Sequence, residues 1–290
     1  RTPIHKLEAR NFLEHNLTDL VHENGPVQAI RQRAYEHLAA TICHRPAGIE
    51  PQTVLVFSPH PDDDVISMGG TLITLVEQGH QVHIAYMTSG NIAVFDHDAL
   101  RHVNFVSEVL ELFGLQTAET CQRLADVHQQ IEFKKRGALD PADALAIKGL
   151  IRKTEAVAAA REAGVPRERC HFLDLPSYRT GEVRKRPIGP HDVEIVAGLL
   201  RKLSPAQVYL AGDLSDPHGT HRMCAQAILS ALNTVSADRL TPEVWMYRGA
   251  WQEYEPHEID RAVPLSPETM LKKKLANFRH ESQKDAALFP

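Results

Sequence analysis

Thr53-Val54-Leu55-Val56-Phe57-Ser58 runs directly into Pro59-His60-Pro61-Asp62-Asp63-Asp64, and the reading of this stretch decides the fold. A short β-branched, apolar run that breaks into proline and acidic residues reads as a buried strand ending in a loop. In open α/β sheets that carboxyl edge is where ligands collect. Three consecutive carboxylates beside a histidine are costly to hold together, because like charges at close range raise each other's pKa, and a bound cation removes the penalty. The stretch predicts a strand that delivers an acidic, cation-competent loop to the edge of a sheet.

Downstream of it the strand and helix periods alternate. A helix is predicted over 67–78, opened by Ser67 and Gly69-Gly70, then a strand over 81–87 and a polar loop, Thr88-Ser89-Gly90-Asn91. A helix at 98–113 precedes a charged, irregular segment, 115–139, helical in part, and Asp140 is expected to cap a long helix over 141–163. A strand at 170–173 feeds a basic loop at 174–190, followed by a helix at 191–203 and a strand at 206–210. A second acidic loop, 212–217, opens a helix from His218 to about Leu232; strands near 243–248 and 258–263 and a helix at 267–279 complete the pattern. Crossovers of this length argue for an α/β, Rossmann-like three-layer sandwich with a mainly parallel sheet. Upstream, residues 1–48 read as an N-terminal helical arm or linker, with helices over 3–23 and 26–43 separated by Asn24-Gly25-Pro26, and 49–290 as the α/β domain.

The bulk properties narrow the function class. A chain of 290 residues with 43% hydrophobic and 24% charged content is ordinary for a globular protein, and a formal charge of −5 gives no basic face for nucleic acid. No apolar run approaches the about 20 residues that span a bilayer. Cys43, Cys121, Cys170 and Cys224 form no CxxC and no zinc-ribbon spacing. With no signal peptide in view, they fit reduced thiols and a cytoplasmic location. Seventeen histidines keep metal chemistry open. The chain begins with Arg1 rather than Met, which leaves open that it is processed or cut from a longer polypeptide.

Two motifs carry the chemistry. His60-Pro61-Asp62-Asp63 and His218-Gly219-Thr220-His221 each place a pair three residues apart just after a predicted strand. One backbone turn at that spacing aims both side chains toward one point. Two neutral imidazoles and one carboxylate are a known catalytic zinc set that leaves a position for water. Taken singly, an HxxH at a helix start is more often a capping or solvated pair, and an acidic run before a helix more often complements the helix dipole. Their joint occurrence at one sheet edge favours a site.

The strand-HPDD-helix unit, the later HxxH and the closing Arg279-His280-Glu281-Ser282-Gln283 resemble the PIG-L/LmbE family of zinc-dependent N-acetylglucosaminyl deacetylases, over residues 53–290. The family commonly has Glu where this chain has Asp64 and Ala where it has Pro59. The resemblance implies His60, Asp63 and His221 as zinc ligands, Asp62 as general base and His218 as stabiliser of the oxyanion or proton donor to the leaving amine. It implies removal of acetyl from an N-acetylated amino sugar, free, phosphorylated or oligomeric. Zn2+ is the expected cofactor, and such N/O sites also accept Fe2+. Within the family the chain resembles the domain fused behind a glucosamine-6-phosphate deaminase-like domain, and a start at Arg1 with a helical arm fits an excised piece of that kind.

The remaining residues read less sharply. Asp216 orients His218 or His221, or else caps the helix after it; Asp64 caps the helix after β-strand 53–58. Ser89 and Asn91 touch substrate hydroxyls, or form a plain turn. Arg179, Arg184 and Arg186 form either a solvated loop or an anion clamp suited to a sugar phosphate. His83 and His171 read as structural, and the role of His280 is left open. Two further readings compete: a non-catalytic sugar-binding or docking domain attached to an amino-sugar enzyme, and a metal hydrolase acting on another amide, such as a thiol conjugate. Oligomeric state is not legible in the sequence.

Overall fold

The computed structural model describes residues 6–40, 50–135, 137–178, 186–217, 219–248 and 254–283. Its helices and strands follow in the order α1 (Ala9–Glu14), α2 (Thr18–Asn24), α3 (Val27–Ala40), β1 (Thr53–Ser58), α4 (Asp63–Glu77), β2 (Gln81–Tyr86), α5 (Asp96–Leu112) and α6 (Ala118–Glu132). Then come α7 (Ala142–Glu162), β3 (Cys170–Phe172), α8 (Pro190–Leu203), β4 (Gln207–Ala211), α9 (Thr220–Ser236), β5 (Glu243–Tyr247) and α10 (Pro267–Asn277). The chain forms two compact units, Arg1–Ala47 with Tyr254–Leu265, and Gly48–Glu253 with Ser266–Pro290. The smaller unit carries α1 to α3, with Phe12 buried. The larger carries the sheet.

The sheet has five strands in the order β3-β2-β1-β4-β5, all pairs parallel. Val54, Leu55, Val56 and Phe57 are fully buried because both faces of β1 are covered, as expected for the centre of a parallel sheet. Alternate residues point to opposite faces. Val54 and Val56 join the core built with α4, α7 and α10, through residues such as Leu72, Ala159 and Ala276. Leu55 and Phe57 join the core built with α8 and α9, through residues such as Leu200 and Ile228. A third, smaller cluster, Ala99, Val103, Val127, Ile131 and Ala144, holds α5 and α6 to α7. The α/β three-layer fold expected from the sequence is the one observed.

From β1 the chain proceeds through β2 and β3 on one side, then crosses to β4 on the other. The strand order reverses between β1 and β4, so their carboxyl ends diverge and open the crevice in which such sheets bind ligands. Both chemistry-bearing loops, after β1 and after β4, issue there.

Three local expectations are corrected, and one is filled in. The first helix of the domain begins at Asp63 rather than at Ser67, and the Ser67–Gly70 region is a kink inside it, with Met68 at φ −123° and ψ 19°. The helical part of the 115–139 segment is residues 118–132, opened by reciprocal hydrogen bonds between Thr117 and Thr120. Asp140 does not cap α7; Pro141 stands at that position, and the Asp140 carboxylate accepts from Lys134 at 2.5 Å and Lys148 at 2.7 Å. The strand expected at 258–263 is not formed, because 256–258 fold into a turn in which Glu258 N donates to Glu255 O (2.8 Å) and the Glu258 carboxylate accepts from Glu255 N (2.9 Å).

Candidate active site

The acidic loop after β1 resolves into three separate environments. Successive residues entering a helix are rotated by about 100°, so neighbouring side chains diverge. Asp62, just before α4, turns to the buried guanidinium of Arg152, whose Nη2 lies 3.0 Å from Asp62 Oδ2. Asp63, the first helical residue, turns back over the loop: its Oδ2 accepts from His60 N at 2.8 Å and faces His60 Nδ1 at 3.2 Å. Asp64 turns into the core, 1% exposed, against Ser58 Oγ and Tyr86 OH, each at 3.1 Å. The expectation that Asp64 caps the helix is therefore corrected. Burial pushes its carboxyl up to about 7, against the hydrogen bonds from Ser58 and Tyr86.

The loop after β4 supplies the second half. His221, on the first turn of α9 and 1% exposed, reaches across the crevice to Asp63, with Nε2 3.3 Å from Asp63 Oδ2. Its other ring nitrogen, Nδ1, lies 2.7 Å from Asp213 Oδ1. Asp213 was not singled out from the sequence; it stands two residues beyond β4 and is buried. A carboxylate on Nδ1 fixes the tautomer that presents the Nε2 lone pair, the usual support of a metal-ligating histidine. Asp216 takes its capping role: Oδ2 accepts from Thr220 N at 2.9 Å.

His60, Asp63 and His221 thus bring one ligand atom each to within 4.8 Å of the others, the two imidazole rings 5.3 Å apart. Burial works to raise Asp63, but the hydrogen bonds and charges of His221 and His60 hold it well below the usual carboxylate range. Burial works to lower His221, yet Asp213 and Asp63 overcome it and push the imidazole up to about 10. A proton on His221 is here the counter-ion of two buried carboxylates. A divalent cation in its place would satisfy the same acceptors, and His221 Nε2, which is buried and makes no well-directed hydrogen bond, is the atom free to bind it. The donor set fits such an ion.

Beside this cluster lies a cavity of about 650 Å³, bounded by Pro61 and Tyr178 on the cluster side and by Leu145, Leu150 and Phe172 further out. Ser89 and Asn91, singled out from the loop after β2, both line it. Asn91 is also tied to α7, Nδ2 donating to Leu145 O at 3.2 Å. Gly90 between them has φ +61°, and a Cβ there would come within 2.8 Å of Pro61 Cδ and 3.2 Å of Arg152 Nε, so the close approach of this loop to the site needs glycine. Tyr178 sets its ring edge-on to His60 with centroids 6.2 Å apart.

His218, Arg179 and Arg184 lie outside the described residues. Arg186 lies on the segment leading to α8, where its backbone N donates to Ser177 O at 3.2 Å. His83 and His171 face each other on β2 and β3, Nδ1 to Nε2 at 3.0 Å, away from the cluster's ligands. His280 is 1% exposed with neither ring nitrogen hydrogen-bonded, and burial pushes it down to about 4. The buried Arg152 carried no sequence signal beyond a charged residue inside a long helix.

Comparison with known proteins places this site in a lineage. The family model PIG-L, GlcNAc-PI de-N-acetylase, matches residues 55–232, which include His60, Asp62, Asp63, Asp213 and His221. A putative glucosamine-6-phosphate deaminase-like protein of Bacteroides thetaiotaomicron is 42% identical over 306 aligned positions, covering 99% of this chain and 46% of the relative. The chain spans about half the length of that curated relative. Among solved structures, the N,N'-diacetylchitobiose deacetylase of Pyrococcus horikoshii superposes with a TM-score of 0.50 at 20% identity, over 83% of this chain and 73% of that one. GalB, the 4-carboxy-2-hydroxymuconate hydratase of Pseudomonas putida, gives a TM-score of 0.45 at 19% identity, over 80% and 82%. At 20% identity the likeness to the deacetylase is one of fold. The family match covers more than half of the sequence and contains the whole cluster, and the chain belongs to the PIG-L, GlcNAc-PI de-N-acetylase, family.

Proposed function

We propose that this domain is a metal-dependent N-deacetylase that hydrolyses the acetamide of an N-acetylated amino sugar, with a divalent cation held by His60, Asp63 and His221. The observation that carries the reading is the division of the acidic loop: Asp63 converges with two imidazoles, while Asp62 beside it stays out of the cluster, anchored to Arg152. Zn2+ is the first choice for such a set and Fe2+ the alternative. When bound, the cation polarises the amide carbonyl and lowers the pKa of water to about 7.

The chain's own residues do the rest. Arg152 holds Asp62 by Oδ2, which leaves Oδ1 to accept the proton of the attacking water and to pass it to the departing nitrogen. Asp213 keeps the Nδ1 proton of His221 in place so that Nε2 stays a ligand. His218, two positions before Thr220 in the sequence, is assigned to the developing oxyanion. The cavity of about 650 Å³ receives the sugar, with Ser89 and Asn91 directed at its hydroxyls, and Arg179, Arg184 and Arg186 suit a phosphate on it. A fused sugar-phosphate deaminase-like domain and a cytoplasmic location belong to the same proposal; the length and description of the Bacteroides relative support the fusion. Among the described residues no helix is long and apolar enough to cross a membrane.

The test is acetate release from N-acetylglucosamine, its 6-phosphate and N,N'-diacetylchitobiose, with and without a chelator. Chelator-sensitive release from one of them is expected. Metal binding with no release from any of the three would favour the docking-domain reading.

A further inference from the structure

Behind Asp62 lies a chain of polar contacts that ends at the carboxy-terminal segment. Arg152, whose side chain is 2% exposed, lies between Asp62 and Glu155: Nη2 meets Asp62 at 3.0 Å, and Nη1 faces Glu155 Oε2 at 3.9 Å, an ion-pair distance without a hydrogen bond. The Glu155 carboxylate is gripped from the far side by one residue. Ser282 donates its backbone N to Oε1 and its hydroxyl to Oε2, both at 2.7 Å. Ser282 is 4% exposed, and it sits in a short turn, Glu281–Gln283, that Gln283 ties to Ala93 O at 3.3 Å. The loop at Gly90 closes on Arg152 from above, its position for a Cβ only 3.2 Å from Nε. The guanidinium is thus confined from several sides, and among the described residues Asp62 is the acceptor it meets at hydrogen-bonding distance.

An Arg–Glu–Ser arrangement with this burial is a poor device for stability alone, since desolvating the charges offsets much of their attraction. It is a good device for orientation. A buried guanidinium is a planar fork, and a carboxylate facing one arm biases the direction of the other. We infer that Ser282 and Glu155 are positioning residues: Ser282 fixes the Glu155 carboxylate that faces Arg152 at ion-pair distance, the charge of Glu155 biases the guanidinium, and the guanidinium holds the Asp62 carboxylate in the orientation that proton transfer needs, which gives the Arg279–Gln283 segment a role in turnover. The inference rests on the reading of Asp62 as the proton acceptor.

The experiment compares Ser282→Ala, Ser282→Thr, Glu155→Gln and Asp62→Asn on whichever of the three acetamido sugars the unaltered protein hydrolyses. For Ser282→Ala and Glu155→Gln, kcat is expected to fall about 10-fold or more, in the range of a lost supporting contact at a metal site. KM is expected within twofold, metal content unchanged, and Ser282→Thr close to the unaltered protein. A purely structural latch would instead lower the melting temperature and leave kcat per metal-loaded, folded molecule unchanged, and that result overturns the inference. If Asp62→Asn is inactive while Ser282→Ala and Glu155→Gln keep full kcat, the clamp fails and the function reading stands. An active Asp62→Asn protein, or an unaltered protein that hydrolyses none of the sugars, sinks both.

Discussion

Replacing Asp213 by alanine isolates what the structure adds to the ligand set. Its Oδ1 lies 2.7 Å from His221 Nδ1, and both side chains are 1% exposed, so bulk solvent does not reach the pair. Two costs follow. In the metal-free protein, the variant leaves a buried imidazole nitrogen without its partner, worth about 1–3 kcal/mol of stability. In the loaded protein, His221 loses the group that fixes its tautomer and ring angle, a kind of loss that typically weakens metal binding about 10–100-fold. That range corresponds to about 1.4–2.8 kcal/mol. Asp213→Asn should lie between, because its amide oxygen can still accept from Nδ1 while the charge is gone. Asp216→Ala is the control: it removes a helix cap, for about 1 kcal/mol, but no support of a ligand. The assay is a competitive Zn2+ titration against a chromophoric chelator, beside a urea melt of each apo protein. Asp213→Ala protein that binds Zn2+ as tightly as the unaltered chain would refute the argument.

Three further outcomes are expected. Gly90→Ala forces a side chain into positive φ and against Pro61 and Arg152, so it should cost about 2 kcal/mol or more and reduce turnover, measured by thermal unfolding and acetate release. Ala146→Trp, which fills the cavity from α7, should raise KM at least about tenfold with Zn2+ affinity unchanged; an unaltered KM would place the sugar elsewhere. The His83–His171 pair makes stability pH-dependent: burial first, then the charge of His171, pushes His83 down to about 4, whereas an unfolded histidine titrates near 6.5. The unfolded chain therefore takes up the proton first, and stability is full above about pH 6.5 and lost as the pH falls toward 4. Solvent screening at this half-buried site limits the effect to about 1 kcal/mol, which urea melts between pH 7 and 4.5 should show and which His83→Gln/His171→Gln should flatten.

The sequence carried the parts of the fold that depend on local pattern. Val54 to Phe57, Val82 to Tyr86 and Val208 to Leu210 read as strands because a covered parallel sheet demands continuous apolar runs. The His60/Asp63 and His218/His221 spacings were visible because they are short. What the pattern could not carry is pairing at a distance. Asp213 is one acid among several in its loop, and only the approach of α9 makes it the partner of His221. Glu155 and Ser282 are 127 residues apart, and nothing local marks Arg152 out within its helix until Asp62 is brought against it. Helix α6 was read only as a partly helical segment because it buries only Val127 and Ile131, too thin a stripe to show its bounds. Asp64 was misread because its fate depends on the angle at which α4 leaves the loop, which turns it onto Ser58 and Tyr86 rather than onto the helix end.

The central claim is that Asp62 and Asp63 hold different jobs, one the proton and the other the metal. The most direct measurement is the Asp62→Asn protein, assayed in parallel for bound metal and for acetate release from N-acetylated amino sugars. About one equivalent of bound metal is expected, as in the unaltered protein, with turnover lost by a factor of about 10² or more. Near-normal acetate release from that protein, or loss of its metal, would contradict it.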